Sequence, residues 1–476
     1  MNAARLTLDP NRAFPADPGT REIAVRIYEH VKDLPIISMH GHVEAQAFAE
    51  NTPFPDPAQL LIVPDHYVFR MLASQGVNLD DLGVPRQDGG AVETDSRAIW
   101  KRFCENWKLY RGTPSRFWIE HELVEVFGVD LVPSAETADA IYDQIASVIA
   151  EEDFTPQGLL DRFDIEIIST TDPASSDLEF HRQIREQGLG HRVVPTFRPD
   201  AALTLTGPTF KAEVEAIGKL SGEDVSTYEG YLAALRHRRR AFIEAGARAT
   251  DHGHLLPNTQ PLPDEEAAAL YGRAVAGEEI SAEEGAAFEA HMLFQMAKMS
   301  TEDGLVMQIH PGVRRDHSTE ILETYGKDKG YDIPIGVDYT RGVQPMLDAF
   351  GRNPNFHCIL FTIDETVYSR ELAPIAGTYP AVRLGAPWWF IDSPDGMRRF
   401  RELATETAGF YNTSGFVDDT RAFASIPARH DLARRIDAGY LANLVAEGRL
   451  TEEEAIETAV DLTSTLPKAS YPPIAH

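Results

Sequence analysis

The sequence predicts a closed (β/α)8 barrel. Eight short apolar or β-branched runs recur along the 476 residues, helix-like stretches lie between them, and every run ends in polar or aromatic residues. Strands that alternate with helices pair in parallel through crossovers, and eight such units close into a barrel whose strand carboxyl ends share one mouth. A hydrophobic fraction of 43% and a charged fraction of 25% suit a globular chain with a large core.

Taken in order, the predicted strands are Leu34–Met39, Ile165–Thr171, Arg192–Phe197, Gly246–Thr250, Leu305–Ile309, His357–Ile363, Ala381–Leu384 and Thr413–Val417. A helix-like stretch, Ile23–Val31, precedes the first, and another, Gly396–Thr405, precedes the last. About 120 residues separate the first two strands, far more than one crossover needs. The chain therefore divides into residues 1–42 (amino-terminal helix and first strand) and 43–160 (a helical insertion covering the mouth). The rest is 161–440 (the remaining barrel, with helical additions near 205–245 and 260–300) and 441–476 (a carboxyl-terminal helix and tail).

Composition excludes several classes. With 44 Lys+Arg against 74 Asp+Glu the net charge is −30, which repels phosphate backbones and anionic lipid. Arg236–Arg240 is the one basic run and lies in a helical stretch, so neither nucleic acid nor a membrane is an expected partner. Cys104 and Cys358 are too few for a disulfide framework, and the chain has neither an apolar leader nor a run of about 18 apolar residues. A cytoplasmic protein is expected.

The chemistry lies at the strand ends. These are His40-Gly41-His42, Asp172, Arg198-Pro199-Asp200, Asp251-His252-Gly253-His254, His310-Pro311-Gly312, Asp364-Glu365, Trp388-Trp389 and Asp418-Asp419-Thr420-Arg421. In an extended strand residues two apart face the same side, so His40 and His42 can face one ion, and closure brings Asp419 of the last strand beside them. Two imidazoles and a carboxylate with open positions form a catalytic divalent-metal arrangement. His252-Gly253-His254 repeats the triplet.

The ordered series resembles the uronate isomerase (glucuronate isomerase) family of the amidohydrolase superfamily, metal-dependent (β/α)8 barrels. The matching segments are His40-Gly41-His42, DHYVFRMLASQGV at 65–77, TTDP at 170–173, PTFRPD at 195–200 and DHG at 251–253. QIHPGVR at 308–314, GAPWWFID at 385–392 and GFVDDTRAFASIPARH at 415–430 complete them. Asp364-Glu365 stands where the family carries Asn-Pro, and Arg429-His430 falls one residue late.

The resemblance implies an aldose–ketose isomerase that interconverts D-glucuronate with D-fructuronate, and D-galacturonate with D-tagaturonate, through a cis-enediol in hexuronate catabolism. It implies a divalent metal, Zn²⁺, on His40, His42 and Asp419, with Asp419 open to two roles, metal ligand or proton-shuttling base. Arg421 and His310 join Asp419 as catalytic residues, with Arg421 the first choice for the substrate carboxylate because its fork binds carboxylates bidentately. Tyr67, His66, Arg198, Arg314, Trp388, Trp389 and His252 are expected to bind substrate, and the family suggests a homo-oligomer. The alternatives are a metal-dependent hydrolase (lactonase or amidohydrolase) on the same barrel and a non-catalytic sugar-acid binder.

Overall fold

The computed structural model describes residues 4–474. Its centre is a ring of parallel strands. They are β1 (Ile36–Ser38), β2 (Ile165–Ser169, resuming at Asp172–Pro173), β3 (Val193–Val194, resuming at Phe197–Arg198) and β4 (Ala249–His252). After these come β5 (Val306–Ile309), β6 (Cys358–Leu360) and β7 (Val382–Leu384). Each pairs with its successor, as in Ile37 with Ile167, Ile168 with Val193, Phe197 with Thr250, Thr250 with Met307, Met307 with Cys358 and Cys358 with Val382.

Segment 412–420 closes the ring. Thr413 bridges to Leu384 on one side. On the other, Asp419 N donates to His40 O at 3.2 Å and His42 N to Thr420 O at 3.0 Å. The eighth run is thus a single bridge where a strand was predicted. Gly415 has φ +80°, and a Cβ there would lie 2.4 Å from Pro467 Cγ, so the backbone leaves the ladder to let the carboxyl-terminal segment approach. The fourth strand begins at Ala249 rather than Gly246 because Gly246, at φ +101°, lies in the turn that ends the helix Tyr228–Glu244.

Alternate residues point into the ring, where Ile37, Ile167, Val194, Ala249, Val306 and Ile359 share one buried cluster. Tyr471 joins them from the tail; its hydroxyl donates to Gln308 Oε1 at 2.9 Å and its carbonyl accepts from Arg248 at 3.2 Å. Helices Phe210–Ser221 and Tyr228–Glu244 lie between β3 and β4, and Asp264–Ala276 and Ala282–Asp303 between β4 and β5.

The long insertion lies elsewhere than expected. Its apolar residues, among them Phe48, Leu61, Phe69, Trp100 and Ile145, pack with Ile36, Ile165, Ile168 and Val193, which puts most of it against the outer face of the first three strands. Only its corner at Asp65–Tyr67, where Asp65 caps the helix His66–Ala73, reaches the mouth. The opposite wall comes from the connection after β5, shaped by a two-stranded hairpin, Val313–Arg314 against Ile333–Pro334.

Candidate active site

At the carboxyl ends of the strands lies a cavity of about 500 Å³. The two imidazoles of the His-x-His triplet converge there on one oxygen. His40 Nε2 is 3.4 Å and His42 Nε2 2.9 Å from Asp419 Oδ1. Asp419 adopts φ +44°, a left-handed conformation that Asp tolerates better than most side chains. Its neighbour Asp418 is turned away and held by His430 Nε2 at 3.0 Å, so one carboxylate of the pair enters the cavity and the other anchors the helix Ile426–Ala446. Burial pushes the Asp419 carboxyl up, but the charges of and hydrogen bonds from His40 and His42 outweigh it and hold the group well below the usual carboxylate range. Two imidazole nitrogens and one carboxylate oxygen within 4.8 Å of one another fit a divalent transition-metal ion.

Beneath them lies a second layer of charge. Asp251, buried inside the ring, is 2.7 Å from His310 Nδ1 and 3.0 Å from Arg198 NH1. Its burial is outweighed by Arg198, then His310 and His40, which keep it well below the carboxylate range. His310 stacks on Phe361 at 3.9 Å and on His40 at 4.5 Å. It supports the first histidine and does not line the cavity.

The arginines separate by their partners. Arg198 lines the cavity but is already paired with two carboxylates, Nε with Asp200 at 3.0 Å and NH1 with Asp251 at 3.0 Å. Arg421 also lines it, and its ion-pair partner Asp328 is 3.5 Å away, leaving donor capacity for a ligand. Arg314 is not brought to the cavity. It sits exposed in the hairpin strand, where side chains alternate, and the next residue, Arg315, faces inward. His252 is likewise misplaced by strand alternation: Asp251 points into the ring, so His252 points out, fully buried, with Nε2 3.0 Å from Thr250 Oγ1.

The aromatic wall joins the insertion to β7. Trp388 and Trp389 line the cavity, and neither indole Nε1 has a hydrogen-bond partner among the described residues. His66 lies 4.2 Å from Trp389, ring to ring, and its imidazole is pushed well below its ordinary pKa by burial and then by Arg421. Tyr67 packs on Trp389 at 4.6 Å and donates its hydroxyl to Asp392 Oδ2 at 2.8 Å. The same oxygen accepts from Arg429 at 2.9 Å, and Arg429 lies over Trp118 at 3.7 Å.

Several lining residues were not singled out from the sequence: Asp65, Thr204, Arg315, Lys327, Asp328 and Asp332. Four of them come from the connection after β5, which carries no strand-end signal. Asp328, at φ +60°, is the nearest to one, since left-handed non-glycine residues are uncommon and Trp389 and Asp419 of the same cavity share the feature. Asp364-Glu365 stays outside the cavity: Asp364 caps the short helix Glu365–Val367, and Glu365 pairs with Arg399 at 2.7 Å.

Comparison with known proteins fits this geometry. The sequence profile of the glucuronate isomerase family matches residues 19–463. A uronate isomerase of Rhizobium meliloti (strain 1021) is 55% identical over 464 residues, covering 98% of this chain and 99% of its own. The crystal structure of glucuronate isomerase from Caulobacter crescentus superposes with a TM-score of 0.96 at 50% identity, covering 98% of this chain and 97% of that one. The uronate isomerase of Thermotoga maritima gives a TM-score of 0.91 at 30% identity, with 98% and 100% coverage.

Proposed function

This chain belongs to the glucuronate isomerase family and is an aldose–ketose isomerase of uronates, and from that premise we propose how its own residues carry the reaction. The substrate pairs are D-glucuronate with D-fructuronate and D-galacturonate with D-tagaturonate. The observation that supports this most is the convergence of His40 and His42 on Asp419 in the same cavity as the under-partnered Arg421.

Moving a carbonyl by one carbon needs a base for the proton of the hydroxyl-bearing carbon and positive charge near the enediolate oxygens. Asp419, ionised and oriented by the two imidazoles, is assigned the proton transfer between the neighbouring carbons. His40, His42 and Asp419 would also hold a divalent ion, Zn²⁺ in this proposal, which when bound supplies Lewis-acid charge to the substrate oxygens. Arg421 takes the substrate carboxylate. Trp388 and Trp389 offer their free indole N–H groups to hydroxyls, and the neutral His66 closes the site beside them. Arg198 and His310 act indirectly, fixing Asp251 under His40.

The hydrolase reading fits less well, because β4 ends in Asp251-His252 without a lysine and Asp251 is occupied by Arg198 and His310. No helix among the described residues is long and apolar enough to cross a membrane. A cytoplasmic location, a homo-oligomeric state and the absence of nucleic-acid or membrane partners belong to the same proposal.

The test is proton NMR of D-glucuronate and, separately, D-galacturonate with the metal-replete protein in deuterated water. Formation of the ketose with deuterium at the acceptor carbon is expected. No conversion of either sugar would overturn the substrate assignment, and normal turnover by Asp419→Asn would overturn the role of Asp419.

A further inference from the structure

Behind the outer wall of β4 stands a second group of metal-type ligands that the isomerisation does not use. Asp200 follows β3, His252 ends β4 and His254 lies just beyond it; one ligand atom from each lies within 4.8 Å of the others. His252 is fully buried and His254 is 6% exposed. Three buried atoms here have no hydrogen-bond partner among the described residues: Asp200 Oδ1, His252 Nδ1 and His254 Nε2. Buried polar atoms are seldom left unpaired, and each of these three is an atom of metal-ligand type.

The remaining atoms of the same side chains are engaged. His252 Nε2 is 3.0 Å from Thr250 Oγ1, and His254 Nδ1 is 3.7 Å from Glu289 Oε2. Asp200 Oδ2 accepts from Gly253 N at 2.9 Å and Arg198 Nε at 3.0 Å. The two bonds to Asp200 Oδ2 fix that carboxylate, the Glu289 carboxylate beside Nδ1 favours the tautomer that leaves Nε2 of His254 unprotonated, and the Thr250 hydroxyl can donate to or accept from His252 Nε2. His254 Nε2 and Asp200 Oδ1 are 3.6 Å apart. Two ligands about 2.1 Å from a tetrahedral ion would be about 3.4 Å apart.

We propose that Asp200, His252 and His254 form a second divalent transition-metal site, separate from His40, His42 and Asp419, that ties the end of β3 to the end of β4. Its two imidazoles and one carboxylate suit Zn²⁺ or Co²⁺ over Mg²⁺ or Ca²⁺. By fixing Asp200, the ion holds the guanidinium of Arg198 at the cavity wall, so the site is structural for the mouth and takes no part in the proton transfer.

The experiment is metal stoichiometry on the full chain, stripped by chelator, reloaded with Zn²⁺ or Co²⁺ and analysed by mass spectrometry of the bound metal. Wild type is expected to hold two ions per chain. The double variant His40→Ala/His42→Ala should keep one, whose loading with Co²⁺ gives a visible d–d absorption band and raises Tm. His254→Gln should hold one ion in place of two, and retention of that ion reports that the barrel is folded; Asp200→Asn serves the same purpose if His254→Gln does not fold. A wild type without an ion, or a His40→Ala/His42→Ala variant that keeps none, would overturn the proposal, and so would two ions in His254→Gln. A single wild-type ion that is lost in His40→Ala/His42→Ala and kept in His254→Gln would likewise overturn it while leaving the first site intact.

Discussion

Arg421→Met removes the guanidinium assigned to the substrate carboxylate while keeping a flexible side chain of similar reach. The magnitude follows from the partners of Arg421. A carboxylate held by a guanidinium fork receives two charge-assisted hydrogen bonds, each contributing about 1.5–3 kcal/mol. Against this stands Asp328 at 3.5 Å, longer than a good charge-assisted bond, beside a side chain 34% exposed. Such a partly solvated pair contributes up to about 1 kcal/mol that substrate must displace. The net loss is about 3 kcal/mol, roughly a hundredfold in kcat/KM, expressed mainly in KM because the carboxylate is bound alike in ground and transition states. The assay is initial-rate kinetics on D-glucuronate and on its neutral amide, D-glucuronamide. Wild type should prefer the acid and Arg421→Met should lose that preference. An unchanged KM for the acid, or an equal loss on acid and amide, would refute the assignment.

Three further outcomes follow from buried groups. Asp392→Ala leaves Arg429 charged in the core and should destabilise the chain by about 3–5 kcal/mol in urea unfolding, with Asp392→Ala/Arg429→Met recovering part of that loss; additive effects would show that the pair is not coupled. Burial, reinforced by Asp65 and opposed by Arg429, pushes the Glu122 carboxyl up to about 8. The folded chain then holds a proton that the unfolded chain has released above its ordinary carboxylate pKa, so stability from this group is complete at acid pH and is lost as pH rises towards 8. Glu122→Gln should therefore gain on the wild type by on the order of 3 kcal/mol between pH 5 and pH 8, at about 1.4 kcal/mol per unit, and parallel Tm-versus-pH curves would count against it. Tyr471→Phe leaves Gln308 Oε1 without its donor inside the ring and should cost about 1–3 kcal/mol, read as a lower Tm; an unchanged Tm would show that the tail does not brace the barrel.

Periodicity and strand-end chemistry determined much of this protein. The eight runs were legible because a parallel strand buried on both faces reads as an apolar stretch, and because barrel enzymes place polar residues at its carboxyl end. His40, His42 and Asp419 could be grouped from sequence, since two-residue spacing sets a common face and closure makes the first and last strands neighbours. Tertiary structure decided what spacing leaves open. The pleat direction of β4 put Asp251 inside and His252 outside, and the alternation of the hairpin strand chose Arg315 over Arg314. The insertion packs along the outer wall because its apolar residues meet Ile36, Ile165 and Val193, contacts between separate elements that no local pattern encodes. The number and closeness of carboxylate partners separate Arg198 from Arg421, residues of identical chemistry at two strand ends, and they depend on carboxylates delivered by other elements: Asp251 from β4 and Asp328 from the connection after β5. Local sequence sets which face a side chain can occupy; only the folded ring sets which charges it meets there.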